Sequence, residues 1–179
     1  MTHRLFVAIK PPEPVLDLLI DTMDGIDNAR WQSDEQMHLT LRFVGEIDSP
    51  AANDLADALT QVRCEPFDLA IRGTGHFEKK GRTHTLWAGI APSPALLALQ
   101  KRVESACRSV GLPPETRSYA PHITLARLSG SAGAVGPFLT KWGDLKSPPF
   151  TVSQFILFES TLSSHGAHYD PVMSFPLRA

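Results

Sequence analysis

Two hexapeptides 84 residues apart, His38-Leu39-Thr40-Leu41-Arg42-Phe43 and His122-Ile123-Thr124-Leu125-Ala126-Arg127, constrain what this chain can fold into more than any other feature. Each reads His-x-Thr-Leu inside a run of β-branched and large apolar residues, the pattern of a half-buried strand. Residues two apart on a strand share a face. His and Thr therefore project together, while Leu39, Leu41 and Phe43, or Ile123 and Leu125, turn into a core. Two such motifs in one chain predict a site built from paired histidines on paired strands.

The flanking sequence repeats with them. Leu86-Trp87-Ala88-Gly89-Ile90 sets beside Leu5-Phe6-Val7-Ala8-Ile9 at a spacing of 81, and Pro149-Phe150 beside Pro66-Phe67 at a spacing of 83. Near-equal spacings across the whole chain predict two copies of one unit, strand–helix–His strand–variable segment–strand, over approximately 4–80 and 85–160. The expected fold is a single bilobal α+β domain, 1–179, with a pseudo-twofold axis. Largely antiparallel sheets line a central cleft and helices cover the outside.

Within each copy the local signals are legible. Val15, Leu18, Leu19, Met23 and Ile26 recur at helical spacing and predict a helix to about Asn28. Ser49-Pro50 reads as a cap followed by proline in the first turn of a second helix, with Leu55, Leu59 and Val62 as its stripe. Ser93-Pro94 caps a third, carrying Leu96, Leu97, Gln100, Val103 and Cys107 and ending at Gly111. The first His strand is expected to stop at Gly45. Phe67 to Ile71 alternates as a strand, and Gly73 to Arg82 reads as a glycine- and cation-rich loop. Ser129 to Lys146 shows no helical period. Thr151 to Glu159 is a β pattern, with a short last strand near Ser174 to Leu177.

With 179 residues, 42% apolar and 20% charged, the chain suits one globular domain, and a net charge of −2 excludes a large duplex-DNA-binding surface. Cys64 and Cys107 lack metal-site spacing and are expected as reduced core thiols. The N-terminal apolar run is too short for a signal peptide and no stretch is long enough to cross a membrane, so a cytoplasmic monomer is expected.

Two imidazoles facing one another can act as general acid and general base without a metal or other cofactor, because a pKa of about 6.5 lets one be neutral while the other is protonated. The threonine hydroxyls can donate to an oxygen held between them. A phosphodiester suits this arrangement, since in-line displacement needs a base on one side and an acid on the other.

These motifs, with Arg4-Leu5-Phe6-Val7-Ala8-Ile9, Trp31, Val44-Gly45-Glu46, Leu86-Trp87-Ala88-Gly89, Pro121 and Ser160-x-Leu162…Gly166-x-x-Tyr169, resemble the two-histidine phosphoesterases. More narrowly, they resemble the bacterial RNA 2′,3′-cyclic phosphodiesterases once called 2′-5′ RNA ligases. The resemblance implies metal-independent opening of 2′,3′-cyclic phosphates, on RNA ends or nucleosides, to 2′-phosphates, with 2′-5′ joining as a side reaction. It makes His38 and His122 the catalytic pair and Thr40 and Thr124 the phosphate donors. It leans towards His38 as acid and His122 as base, a choice that two nearly equivalent motifs do not decide. It further suggests substrate contact by Arg127 and Tyr169. Strict alternation, however, turns Arg127 away from His122 unless the strand bulges after Leu125, and places Arg42 on the face of His38.

His3, His76, His84, His165 and His168 read as structural. His165 and His168 are three apart, but the glycine between them and the lack of a carboxylate or cysteine constellation make a weak metal signal. Lys79, Lys80 and Arg82 form a basic stretch suited to an RNA backbone. Phe6, Trp31 and Tyr169 are candidates for stacking on a base or for packing. Other readings keep the cleft but change its use: ADP-ribose 1″,2″-cyclic phosphate, 2′-5′ oligoadenylate, or binding of nucleotide or RNA without catalysis.

Overall fold

A computed structural model describes residues 1–179. The apolar run after Arg4 forms β1 (Thr2–Ile9), in which Leu5 to Ile9 are all buried. Both faces of this strand are covered. Leu5, Val7 and Ile9 enter the main core, while Phe6 and Ala8 join Ile156 and Phe158 in a smaller cluster on the opposite face. That double burial explains a continuous apolar run where a half-exposed strand would alternate.

The remaining elements are α1 (Glu13–Ile20), β2 (Arg30–Trp31), β3 (Leu39–Asp48), α2 (Ser49–Leu59), β4 (Phe67–Leu69), β5 (Ile71–Lys79), β6 (Arg82–Ile90), α3 (Pro94–Ser109), β7 (His122–Arg127), α4 (Gly136–Trp142), β8 (Phe150–Val152), β9 (Gln154–Ser163) and β10 (Gly166–Pro176). The α+β class is as expected. One antiparallel eight-stranded sheet runs β10-β9-β1-β3-β7-β6-β5, with β2 added beside β7. All four helices contribute to the core against one sheet face, through Leu19, Leu55, Leu99, Phe138 and their neighbours. The other face carries the histidines.

At the centre of the sheet, β3 and β7 meet at a single pair, Leu39 opposite Ile123. These residues are 84 apart, so the equivalent positions of the two motifs face one another. The same holds in the small β4–β8 sheet, where Asp68 opposes Thr151, 83 residues on, and the threonine hydroxyl donates to Asp68 at 2.8 Å.

Several local expectations are corrected. Helix α1 ends at Ile20, because Thr22 turns back to donate its hydroxyl to the Leu19 carbonyl and the chain then reverses through left-handed Gly25 and Asn28. Strand β3 runs past Gly45, whose φ of +85° accommodates a bulge against β1. The cap of α2 is Asp48, which accepts from Ala51 N–H; Ser49 bonds His3 instead. On α3 the buried stripe is Leu96, Leu99, Val103, Ala106 and Cys107, leaving Leu97 exposed. Residues 73–82 form a hairpin, not a loop. Lys80 and Gly81 supply the two positive φ angles of a tight turn, and Gly75 is bare because a Cβ there would lie 2.3 Å from the Trp87 ring. Helix α4 lies inside 129–146, anchored by buried Phe138 after Pro137. The expected 151–159 strand breaks at Ser153, and the last strand is a long hairpin partner of β9. Cys64 and Cys107 are both buried and unpaired, and no helix is long and apolar enough to cross a membrane.

Arg42 lies opposite Val7, on the helix side of the sheet, and not beside His38. Leu41 is an extra residue in β3 that reverses the alternation. The buried guanidinium pairs with Glu104 of α3 and donates to the Pro113 carbonyl at 2.5 Å. Burial pushes the Glu104 carboxyl up, but bonds from Arg42, the Glu115 N–H and Arg108 outweigh it and hold the carboxyl below its usual range. Removing one partner strands the other charge. Arg42→Met should cost about 3 kcal/mol of stability in urea unfolding, and Arg42→Met with Glu104→Leu should recover most of that loss. A single variant as stable as the parent would show the pair to be dispensable.

Candidate active site

Antiparallel pairing of Leu39 with Ile123 dictates the arrangement around it. On one side of this pair lie His38 and Thr124; on the other lie Thr40 and His122. The four side chains alternate away from the buried leucine and isoleucine and share the open face. Each histidine thus has the other motif's threonine as its cross-strand neighbour.

Both rings are held in the same way. His38 Nδ1 donates to the carbonyl of Gln36, and His122 Nδ1 to the carbonyl of Ala120, each at 2.7 Å and each two residues upstream. A carbonyl only accepts, so Nδ1 carries the hydrogen in both neutral rings and Nε2 holds the lone pair. Neither Nε2 has a protein partner or is sealed from solvent. Phe6 packs 4.6 Å from the His38 ring, with Tyr169 edge-on at 5.3 Å; Phe77 stands edge-on to His122 at 4.9 Å.

The segment before His122 is tied to the first motif by Tyr119, whose hydroxyl donates to the Thr40 carbonyl at 2.8 Å. The segment before His38 is tied down by Lys10, which donates to the carbonyls of Met37, at 2.8 Å, and Asp34. Gln36 reaches across to the Ala167 carbonyl at 2.8 Å and so joins this segment to the strand of Tyr169.

Burial pushes His38 down to about 4, against the pull of its bond to Gln36, and the positive charges of Lys10, Arg127 and His122 lower it further. Burial likewise lowers His122, with Arg127 adding to the effect. Burial of the two rings therefore favours neutral imidazoles. An anion placed between them would offset the cations and raise both.

Arg127 reaches this face because β7 carries an extra residue at Leu125: Trp87 pairs with Thr124, but Leu86 pairs with Ala126 and Thr85 with Arg127. The bulge equivalent to it in β3 is Leu41. It brings Phe43 to the open face opposite Phe6, 46% exposed, where core burial was expected. The two bulges flank the four-residue centre and separate two hollows. One is lined by Thr40, Phe43, Phe77, His84, Arg117 and His122. The other is lined by Arg30, Trp31, Gln36, Arg127, His165 and Tyr169.

His38, His122, Thr40, Thr124, Arg127 and Tyr169 are thus gathered at one face. Arg42 borders the hollow of His122, but its buried guanidinium is taken up by Glu104 and the Pro113 carbonyl; the hairpin tip Lys79–Arg82 lines neither hollow, and there the Arg82 guanidinium packs by Gly130. Phe6 is 3% exposed and supports His38 from below, which removes it as a stacking surface. His3 bonds Glu159 and Ser49, His76 bonds Glu78, and His168 bonds Asp170. His84 and His165, read as structural, line the hollows. Arg30, Lys10, Gln36, Phe77 and Tyr119 carried no motif signal. Phe43 did carry one, as the residue 84 before Arg127.

A profile of the 2′-5′ RNA ligase superfamily matches residues 11–162. The chain belongs to this superfamily, the two-histidine phosphoesterases. Proteins named RNA 2′,3′-cyclic phosphodiesterase from Aeropyrum pernix and Thermus thermophilus are similar to it. The first is 34% identical over 139 residues, covering 76% of this chain and 79% of that protein; the second is 33% identical over 186 residues, covering 98% and 90%. Among solved structures, TT0787 of Thermus thermophilus superposes with a TM-score of 0.84 at 26% identity over 98% of each chain. Escherichia coli LigT complexed with 3′-AMP shares the fold, with a TM-score of 0.80 at 22% identity over 100% of each chain.

Proton NMR of the ring Cε1–H signals should place the midpoint of His38 near 4 and that of His122 below 6.5. Saturating inorganic phosphate should move both upward. Two midpoints at or above 6.5 in the free protein would contradict the burial of these rings.

Proposed function

We propose that this protein is an RNA 2′,3′-cyclic phosphodiesterase that opens a terminal 2′,3′-cyclic phosphate to the 2′-phosphate, with His38 and His122 as its acid and base. The observation that carries this reading is the shared tautomer: two imidazoles, each locked through Nδ1, present free Nε2 atoms on one face. The family and the similar proteins named as cyclic phosphodiesterases support the reaction class.

In the working state one ring is neutral and the other protonated. The neutral Nε2 takes a proton from water as the water oxygen attacks phosphorus. The protonated Nε2 gives its proton to the departing 3′ oxygen, which leaves the phosphate on the 2′ oxygen. Thr40 and Thr124 donate to the non-bridging oxygens, whose negative charge grows in the transition state. Burial lowers both rings in the free protein, His38 to about 4. The resemblance leans towards His38 as acid and His122 as base. The two singly protonated forms titrate together and give the same pH dependence.

With adenosine 2′,3′-cyclic phosphate in EDTA, the product should be the 2′-phosphate. His38→Ala and His122→Ala should each lower the rate about 10²–10⁴-fold, with the double variant little worse than the slower single. Complete loss of activity in EDTA, or turnover like the parent's in either variant, would reject the mechanism. A cyclic substrate with a 3′ sulfur in place of the leaving oxygen needs little protonation. It should rescue the variant lacking the acid, and only that one.

The pH dependence of kcat/KM should be bell-shaped with its maximum between about 4 and 6.5, because both free-protein values lie below the ordinary imidazole value. The kcat profile should lie higher, since bound phosphate favours the protonated rings. A kcat/KM maximum above 7 would contradict the lowering of both imidazoles in the free protein.

A further inference from the structure

The hollow beside Tyr169 has a charge pattern that the two-histidine reaction leaves unexplained. Arg30 and Arg127 stand directly opposite one another on β2 and β7. Both line this hollow with Trp31, Gln36, His165 and Tyr169, and no aspartate or glutamate is among the lining residues. Neither arginine forms an ion pair with any carboxylate of the chain. Like charges directly opposite on neighbouring strands repel. By contrast, Arg117, which lines the hollow of His122, pairs with Glu115. The other hollow includes a carboxylate, Glu115, and the aromatic rings of Phe43, Phe77 and Tyr119.

Arg30 extends to the β9–β10 turn, its terminal nitrogen 4.0 Å from where a Gly166 side chain would begin. Gln36 is fixed nearby by its bond to Ala167. Arg127 rests 3.4 Å from the Thr85 hydroxyl, close enough to the centre for its charge to reach both His38 and His122. Planar guanidiniums with free donors on a concave surface suit a phosphate group.

We infer that Arg30 and Arg127 form a second phosphate site, one linkage away from the reacting phosphate. On a nucleoside whose 2′ and 3′ oxygens are tied in the cyclic phosphate, the only other place for a phosphate is O5′. The site therefore recognises the phosphate that links the terminal nucleoside to the rest of an RNA chain, and distinguishes RNA ends from free nucleoside cyclic phosphates. This inference rests on the cyclic phosphodiesterase reading proposed above.

The test compares adenosine 2′,3′-cyclic phosphate with the same molecule bearing a 5′-phosphate, in the parent and in Arg30→Gln. Arg30 is solvent-exposed, so the substitution leaves the core untouched. In the parent, the 5′-phosphate should raise kcat/KM by about tenfold or more, and Arg30→Gln should bring the ratio of the two substrates to within about twofold of unity. Calorimetry with adenosine 2′-phosphate and adenosine 2′,5′-bisphosphate should give the same pattern in Kd, without dependence on turnover. Turnover of both substrates with equal kcat/KM in the parent, or a preference that survives Arg30→Gln, would overturn the second site alone. Failure of the protein to turn over either substrate would instead overturn the function on which it rests.

Discussion

The site depends on one backbone pairing, Leu39 against Ile123. Because the paired residues are equivalent positions of the two motifs, antiparallel geometry sets each histidine across from the other motif's threonine. Burial of the leucine and isoleucine then fixes which face the histidines occupy, since a slip of one residue would send the imidazoles into the helix-packed core and two apolar side chains into the cleft. The register at this junction is therefore enforced by the main hydrophobic core, and the chemistry of the open face is a consequence of what is buried beneath it.

The same core supports the site from further away. Arg42 holds α3 and the segment that begins at Pro113, and Tyr119 fastens the end of that segment to the Thr40 carbonyl. Ala120, which accepts from His122, follows directly. On the other side, Lys10 and Gln36 fasten the segment that supplies the acceptor for His38. Rotation of either ring is thus opposed by bonds made several residues away. Each ring keeps the tautomer that leaves its Nε2 free.

Much of this was legible in the sequence, for physical reasons that can be named. The His-x-Thr spacing gave the shared face because strands have a period of two, and the recurrence of that spacing indicated that the two faces would meet. What escaped the sequence were the places where the period breaks. Extra residues at Leu41 and Leu125 reverse the alternation, so Arg42 goes to the helix side and Arg127 to the open face, against strict parity. Nothing in Leu-Arg or Leu-Ala distinguishes a bulge from a regular strand; the bulges arise from register with neighbouring strands. The β5–β6 hairpin was hidden for a related reason. Its glycines and cations make a poor strand alone, and its order comes from pairing and from the Trp87 ring over Gly75. The carbonyl acceptors of the histidines carry no residue signature at all, because a backbone oxygen is the same in every sequence.

The paired bulges have one more effect. They leave the quartet His38, Thr40, His122 and Thr124 nearly symmetric but place different residues on its two flanks, Phe43 on one and Arg127 on the other. An imidazole pair of this kind has no intrinsic sense of direction, whereas a nucleotide does. A difference at one pair of corresponding motif positions, aromatic at 43 and cationic at 127, gives the cleft a polarity without altering either histidine. Substitution at the flanks can thus change the polarity of the open face while the histidine–threonine centre stays constant.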